Sequence, residues 1–231
     1  GQNLLTVGFT QIRKTALSLP RYSEMLLFMG AFFLYNDGIQ TVITQSATFS
    51  SLALNATPSS IMPAFLMIQF VAFFGSLIFI RVETKIGTKR ALVYSLMVWL
   101  LLIFWALVMH TLVEFYIMAF LGGLVLGISQ SASRTIYALM IPTGQSAEFF
   151  GLYAIVGKVA SLVGPILFGV GVIYAPKLAG VPIINTMAGA IFPLFLMVLI
   201  GTALLLKVDV EQGKRQGKGG GDAGIEVEDI S

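Results

Sequence analysis

Tyr35-Asn36-Asp37-Gly38-Ile39-Gln40-Thr41 lies inside an otherwise apolar run, residues 25–43. If that run crosses a bilayer, it carries a carboxylate deep into hydrocarbon. A charge there costs a few kcal/mol on insertion scales and marks a functional position by default. The fold and the function both depend on what surrounds Asp37.

The composition around it is that of a membrane protein. The chain has 231 residues, 57% of them hydrophobic and only 11% charged, with a mean hydropathy of +0.90. Soluble domains carry roughly 25% charged residues. Cysteine is absent and His110 is the single histidine. This leaves no disulfide framework and little for metal or triad chemistry. The net charge of +3 does not point to nucleic acid, because the basic residues collect at segment ends. Neither a cofactor nor a metal is expected. The chain opens at Gly1 without a signal peptide, which reads as a fragment.

Six apolar segments follow one another, at about 24–45, 61–80, 91–109, 113–141, 149–174 and 185–206. Each reaches the ~20 residues that span ~30 Å of hydrocarbon. Residues 1–23 read as a cytoplasmic linker, and 207–231, charged and rich in glycine, as a disordered cytoplasmic tail. With the N-terminus inside, the cytoplasmic side holds Arg13, Lys14, Arg21, Arg81, Lys85, Lys89, Arg90, Lys207, Lys214, Arg215 and Lys218, and the outer loops hold only Lys177. This asymmetry puts both termini in the cytoplasm. The first and fourth segments are the most polar and the third and sixth nearly featureless. That pattern predicts an all-α membrane protein with six helices arranged as 3+3 inverted repeats.

The polar residues share faces. Gly30, Asp37, Thr41 and Thr44 recur at helical spacing on the first segment, with Gln40 beside them and Asn36 flanking. On the fourth, Gly123, Gly127, Ser131 and Thr135 recur every four residues, and Gln130, Arg134 and Tyr137 lie alongside. Small residues at that interval let another backbone approach. The fifth has Gly157, Ala160, Ser161 and Gly164, then Pro165, with Lys158 at the edge. At 1.5 Å per residue Asp37 lies about 20 Å from the cytoplasmic end, Lys158 about 14 Å and Arg134 about 10 Å. Both basic residues are open as partners for Asp37. The plainer readings are a structural ion pair or kink at Asp37-Gly38, a snorkelling Arg134 and a structural Lys158.

Three stretches together resemble the C-terminal half of a known transporter group, the vacuole-effluxer, autophagy-permease-like branch of the major facilitator superfamily. They are residues 35–41, residues 127–134 ending at Ile141-Pro142, and Glu148-Phe149-Phe150-Gly151-Leu152-Tyr153 continuing through Lys158 to Gly164-Pro165. The loop 83–90 resembles the superfamily's inner-loop motif at Lys85, Gly87, Lys89 and Arg90, but Thr84 stands where the motif has an acid. Glu148 opens the fifth segment on the same side, within reach of a latch to those basic residues.

The resemblance implies one six-helix half of a twelve-helix fold, with the N-terminal six-helix half missing. It implies a secondary transporter of small polar solutes working by alternating access, with amino-acid efflux in the vacuolar members and a proton as candidate coupling ion. Asn36, Asp37, Gln40, Thr41, Gln130 and Arg134 are then the candidate solute or proton site. Lys158, Gly164, Pro165, Lys85, Gly87, Lys89, Arg90 and Glu148 are the candidate structural or gating residues. Short loops favour a plasma membrane over a vacuolar one. The alternative is a membrane scaffold or sensor that transports nothing, in which Asp37 and Arg134 pair tightly and no wet cavity forms. An intramembrane enzyme has no support: no HExxH, no Gly-x-Ser-x-Gly and no paired catalytic carboxylates occur.

Overall fold

The structure is a computed structural model that describes residues 19–178 and 188–225. After a short 3-10 turn, Leu19–Arg21, the helices are α1 (Ser23–Leu54), α2 (Pro58–Ile86), α3 (Thr88–Ala106), α4 (Leu112–Met140), α5 (Ser146–Ala160), α6 (Val163–Leu178), α7 (Ala188–Lys207) and α8 (Val210–Ile225). No strand occurs among the described residues. Six stretches there are long and apolar enough to cross a membrane, the fifth running through α5 and α6. Helices satisfy their own backbone groups, as a chain in hydrocarbon must.

The first two helices run further than their apolar cores. No glycine or proline interrupts residues 39–54, so α1 continues to Asn55, which closes it with φ of 51°. Asparagine tolerates that left-handed position better than most residues. Pro58 then opens α2 at a position where its missing N–H is harmless. Gly87, with φ of 84°, ends α2 and makes the abrupt turn into α3.

α1 is the hub. Its buried residues Ala31, Phe32, Asp37 and Gly38 fall on different sides of the helix. Gly38 and Gly201 bring α1 and α7 into close contact, a methyl group at Gly201 meeting the Tyr35 backbone nitrogen at 2.7 Å. Gly75, Gly123 and Gly127 do the same for α2 and α4, whose backbones touch at Leu124, Ile68 and Ala72. This is the small-residue seam the four-residue spacing on α4 predicts. Leu66, Phe70 and Phe73 of α2 and Ile166 and Ile173 of α6 point outward, exposed. That is a surface suited to lipid or to another apolar bundle.

Two sequence expectations are corrected. The fifth segment is not one helix: it breaks at Ser161-Leu162. Pro165 has no N–H to give the Ser161 carbonyl, and its ring crowds that same carbonyl four residues back. The tail is not disordered throughout, since residues 210–225 form α8. Asp209 Oδ1 caps it, accepting from the backbone N–H of Glu211 at 2.9 Å and of Gln212 at 3.1 Å. Glu24 Oε2 accepts the Asp209 N–H at 2.7 Å, and Gly213 and Gly217 sit against Met140 at the end of α4. Docking and capping outweigh the poor helix propensity of its glycines.

Candidate functional site

On α1 the residues at positions 36, 40 and 44 lie one turn apart, and 37 and 41 lie about 100° further round. The structure uses the two stripes differently. Asn36, Gln40 and Thr44 line a cavity of about 650 Å³, together with Phe32 of α1, Gln130 and Arg134 of α4, and Phe150, Tyr153, Ala154, Gly157, Lys158 and the adjoining Ser161 of α5. Among the described residues only α1, α4 and the α5 region contribute, which makes the cavity a groove on one side of the bundle. Gln130 Nε2 donates to Asn36 Oδ1 at 2.9 Å and ties α4 to α1 across its floor. Below it the Tyr35 hydroxyl and Ser133 Oγ share a bond of 2.7 Å, and Ser133 donates to the Ser129 carbonyl at 2.6 Å.

Asp37 and Thr41 face the other way. Asp37 is fully buried, and its Oδ2 accepts the backbone N–H of Gly164 at 2.7 Å. Thr41 Oγ1 donates to Oδ1 at 3.4 Å. The helix break supplies that N–H: Gly164 lies in the first turn of α6, where no intrahelical acceptor exists. A carboxylate there also meets the positive end of the helix dipole. Gly164 is required, because a Cβ would meet Asp37 Oδ1 at 2.8 Å and overlap Thr41 Oγ1. Among the described residues neither Arg134 nor Lys158 pairs with Asp37. The carboxylate is answered by backbone, not by a basic side chain.

Of the other candidates, Lys158 proves to be a lining residue of the groove as well as the last basic residue of α5. Lys89 Nζ donates to the carbonyls of Leu206 at 2.9 Å and Val208 at 2.7 Å, holding the C-terminal end of α7. Lys85 and Arg90 are exposed, and Glu148 in the first turn of α5 pairs with none of the three among the described residues. Glu83 accepts from the Thr88 hydroxyl at the start of α3, a short-range contact across Gly87.

Tyr153 is a lining residue that the sequence shows within the 148–153 motif but gives no role. Its ring is stacked between Phe32, centroids 4.4 Å apart, and Tyr137, at 4.8 Å. Tyr137 donates to the Phe149 carbonyl at 2.9 Å. The Tyr153 hydroxyl is buried without a hydrogen-bond partner among the described residues. A usable signal was its position one turn before Gly157 and five residues before Lys158; an aromatic residue in an apolar helix gives no other.

The family model described as "Vacuole effluxer Atg22 like" matches residues 1–218. An uncharacterized MFS-type transporter, YxiO, of Bacillus subtilis is 30% identical over 204 residues, covering 88% of this chain and 45% of that protein. Autophagy-related protein 22-1 of Penicillium rubens is 24% identical, covering 91% of this chain and 36% of that protein. Autophagy-related protein 22 of Pichia angusta is 27% identical, covering 70% and 31%. The chain therefore spans less than half the length of each. No solved structure matches. The family's description and the bacterial relative's name both speak of transport, and neither of catalysis.

Proposed function

We propose that the chain, which belongs to the Atg22-like vacuole effluxer family, is the C-terminal six-helix half of a secondary transporter that moves small polar solutes by alternating access. The observation that carries this is the polar groove of about 650 Å³ in a bundle of membrane-spanning helices. A groove of that kind facing lipid would leave amides and cations in hydrocarbon. Six further helices, supplied by an N-terminal half, would close it into a path. The fraction of its relatives that the chain spans is consistent with this division. Both termini then lie in the cytoplasm, and the six spans form two inverted triplets, α1 to α3 and α4 to α7.

In this reading Asn36, Gln40, Gln130 and Arg134 contact the solute. Asp37 and Thr41 hold α6 against α1, so a proton taken up by Asp37 would act by loosening that seam. The inner-loop residues Lys85, Gly87, Lys89 and Arg90 and the α5 residue Glu148 belong to the cytoplasmic gate. Amino-acid efflux is the activity to test first. The short loops and the Bacillus subtilis relative support a plasma membrane over a vacuole. The non-transporting alternative needs an Asp37–Arg134 pair and a closed interior, and no observation favours it.

The test is counterflow of a radiolabelled amino-acid panel in proteoliposomes of the full-length protein, with Gln130→Leu, Arg134→Gln and Asp37→Asn. Loss of flux in the first two supports the groove as the path. Flux unchanged in both would remove the groove from the mechanism, and unchanged, still pH-dependent flux in Asp37→Asn would remove the proton role of Asp37.

A further inference from the structure

Among the described residues two cations line the groove and no acid does. Arg134 stands on α4 one turn beyond Gln130, and Lys158 on the last turn of α5; both side chains are exposed. Among the described residues neither has a carboxylate within ion-pair distance, and the ion pair found there, Lys214–Glu211, belongs to α8. Asp37 is unavailable to them, because it is engaged with Gly164 and Thr41 behind α1.

Tyr153 adds a second, independent observation. It is 8% exposed, lines the same groove, and its hydroxyl has no hydrogen-bond partner among the described residues. The flanking rings of Phe32 and Tyr137 hold it in place. A phenol, a guanidinium and an ammonium lining one groove are three donor groups, two of them cationic, with no carboxylate among the described lining residues to compete for them. Asn36 and Gln130 satisfy each other through one bond and keep a free amide donor and a free carbonyl for the uncharged part of a ligand.

We propose that the groove takes its solute by a negatively charged oxygen group, a carboxylate or a phosphate, with Arg134 and Lys158 as its ligands and the Tyr153 hydroxyl as its hydrogen-bond donor. This rests on the groove being the solute path.

These 231 residues hold no cysteine, so once any cysteine elsewhere in the full-length protein is replaced by serine, a thiol-labelling test that does not require the solute to be known is open. A single Gln40→Cys is introduced into the full-length protein in proteoliposomes. It is then labelled with two methanethiosulfonate reagents of opposite charge, sulfonatoethyl and trimethylammonioethyl. The ratio of the anionic to the cationic rate is compared with that of a free thiol. The expected ratio exceeds the free-thiol value. Arg134→Gln or Lys158→Gln each lowers it severalfold, the effect of removing one unit charge from the water-filled groove that the thiol also lines. Succinate and inorganic phosphate should slow labelling, and glycerol should not. Tyr153→Phe, which keeps the aromatic stack, should raise the anion concentration needed for protection about tenfold.

A labelled thiol with a free-thiol ratio overturns the proposal and leaves the transport path standing. So does labelling that succinate and phosphate both fail to slow, or protection unchanged in Tyr153→Phe. A thiol that neither reagent reaches would overturn the path itself. Protection by phosphate alone or by succinate alone supports the proposal and names which oxyanion it is.

Discussion

Gly164→Ala adds one methyl group where α6 meets α1. Its Cβ would stand 2.8 Å from Asp37 Oδ1 and overlap Thr41 Oγ1. Neither obstacle is the end of a long flexible side chain. Thr41 is β-branched and stiff at χ1, and Asp37 is fully buried. Either the two helices separate by several tenths of an ångström or Asp37 gives up the Gly164 N–H. Overpacking of this kind costs about 1–3 kcal/mol. Losing a hydrogen bond to a charged acceptor costs about 1.5–3 kcal/mol. Alanine returns about 1 kcal/mol of helix propensity. Less that return, either cost alone leaves a loss of up to about 2 kcal/mol, and the two together a loss of about 1.5–5 kcal/mol.

The assay is unfolding of the purified full-length protein in mild detergent, parent and variant side by side. Thr41→Ala in the Gly164→Ala background removes the nearest obstacle, so it should recover about 1–2 kcal/mol, a coupling that independent sites do not show. If Gly164→Ala is as stable as the parent, or if Thr41→Ala simply adds its own loss, the seam between α1 and α6 does not hold the second half of the fifth span. Asp37 then needs another explanation.

Asp37→Asn keeps an acceptor oxygen for Gly164 and should fold close to normally, whereas Asp37→Ala orphans a buried N–H and should lose about 1–3 kcal/mol; equal stability of the two in the same unfolding assay would contradict the bond. Lys89→Met leaves two carbonyls at the end of α7 without their donor, and hydrogen exchange at residues 205–209 should quicken severalfold with little change in α1. Gly217→Val puts a branched side chain where a Cβ would already stand 2.5 Å from the Met140 carbonyl. Limited proteolysis within α8 should accelerate, and an unchanged cleavage rate would mean that α8 does not rest on α4.

The spans are legible because hydrophobic length is a property of each segment alone. The polar stripes are half legible, and α1 shows why. Periodicity puts Asn36, Asp37, Gln40 and Thr41 within one broad face, yet neighbouring residues differ by about 100° in direction. The difference decides which of them meets the groove and which meets α6, and it is set by where α4, α5 and α6 stand. The break in the fifth span has a local cause, Pro165, which is plain in the sequence, but its consequence is not local. It frees the Gly164 N–H, and only the fold brings that group to a carboxylate 127 residues earlier. Tail residues 210–225 fail to read as helix for the same reason in reverse. Their glycines argue against a helix in isolation and become useful once α4 is close, because Gly213 and Gly217 admit Met140. Asp37 therefore looks, in the sequence, like a charge in want of a basic partner. A backbone donor at a helix break answers it instead, and that arrangement leaves Arg134 and Lys158 facing the groove with no carboxylate partner among the described residues.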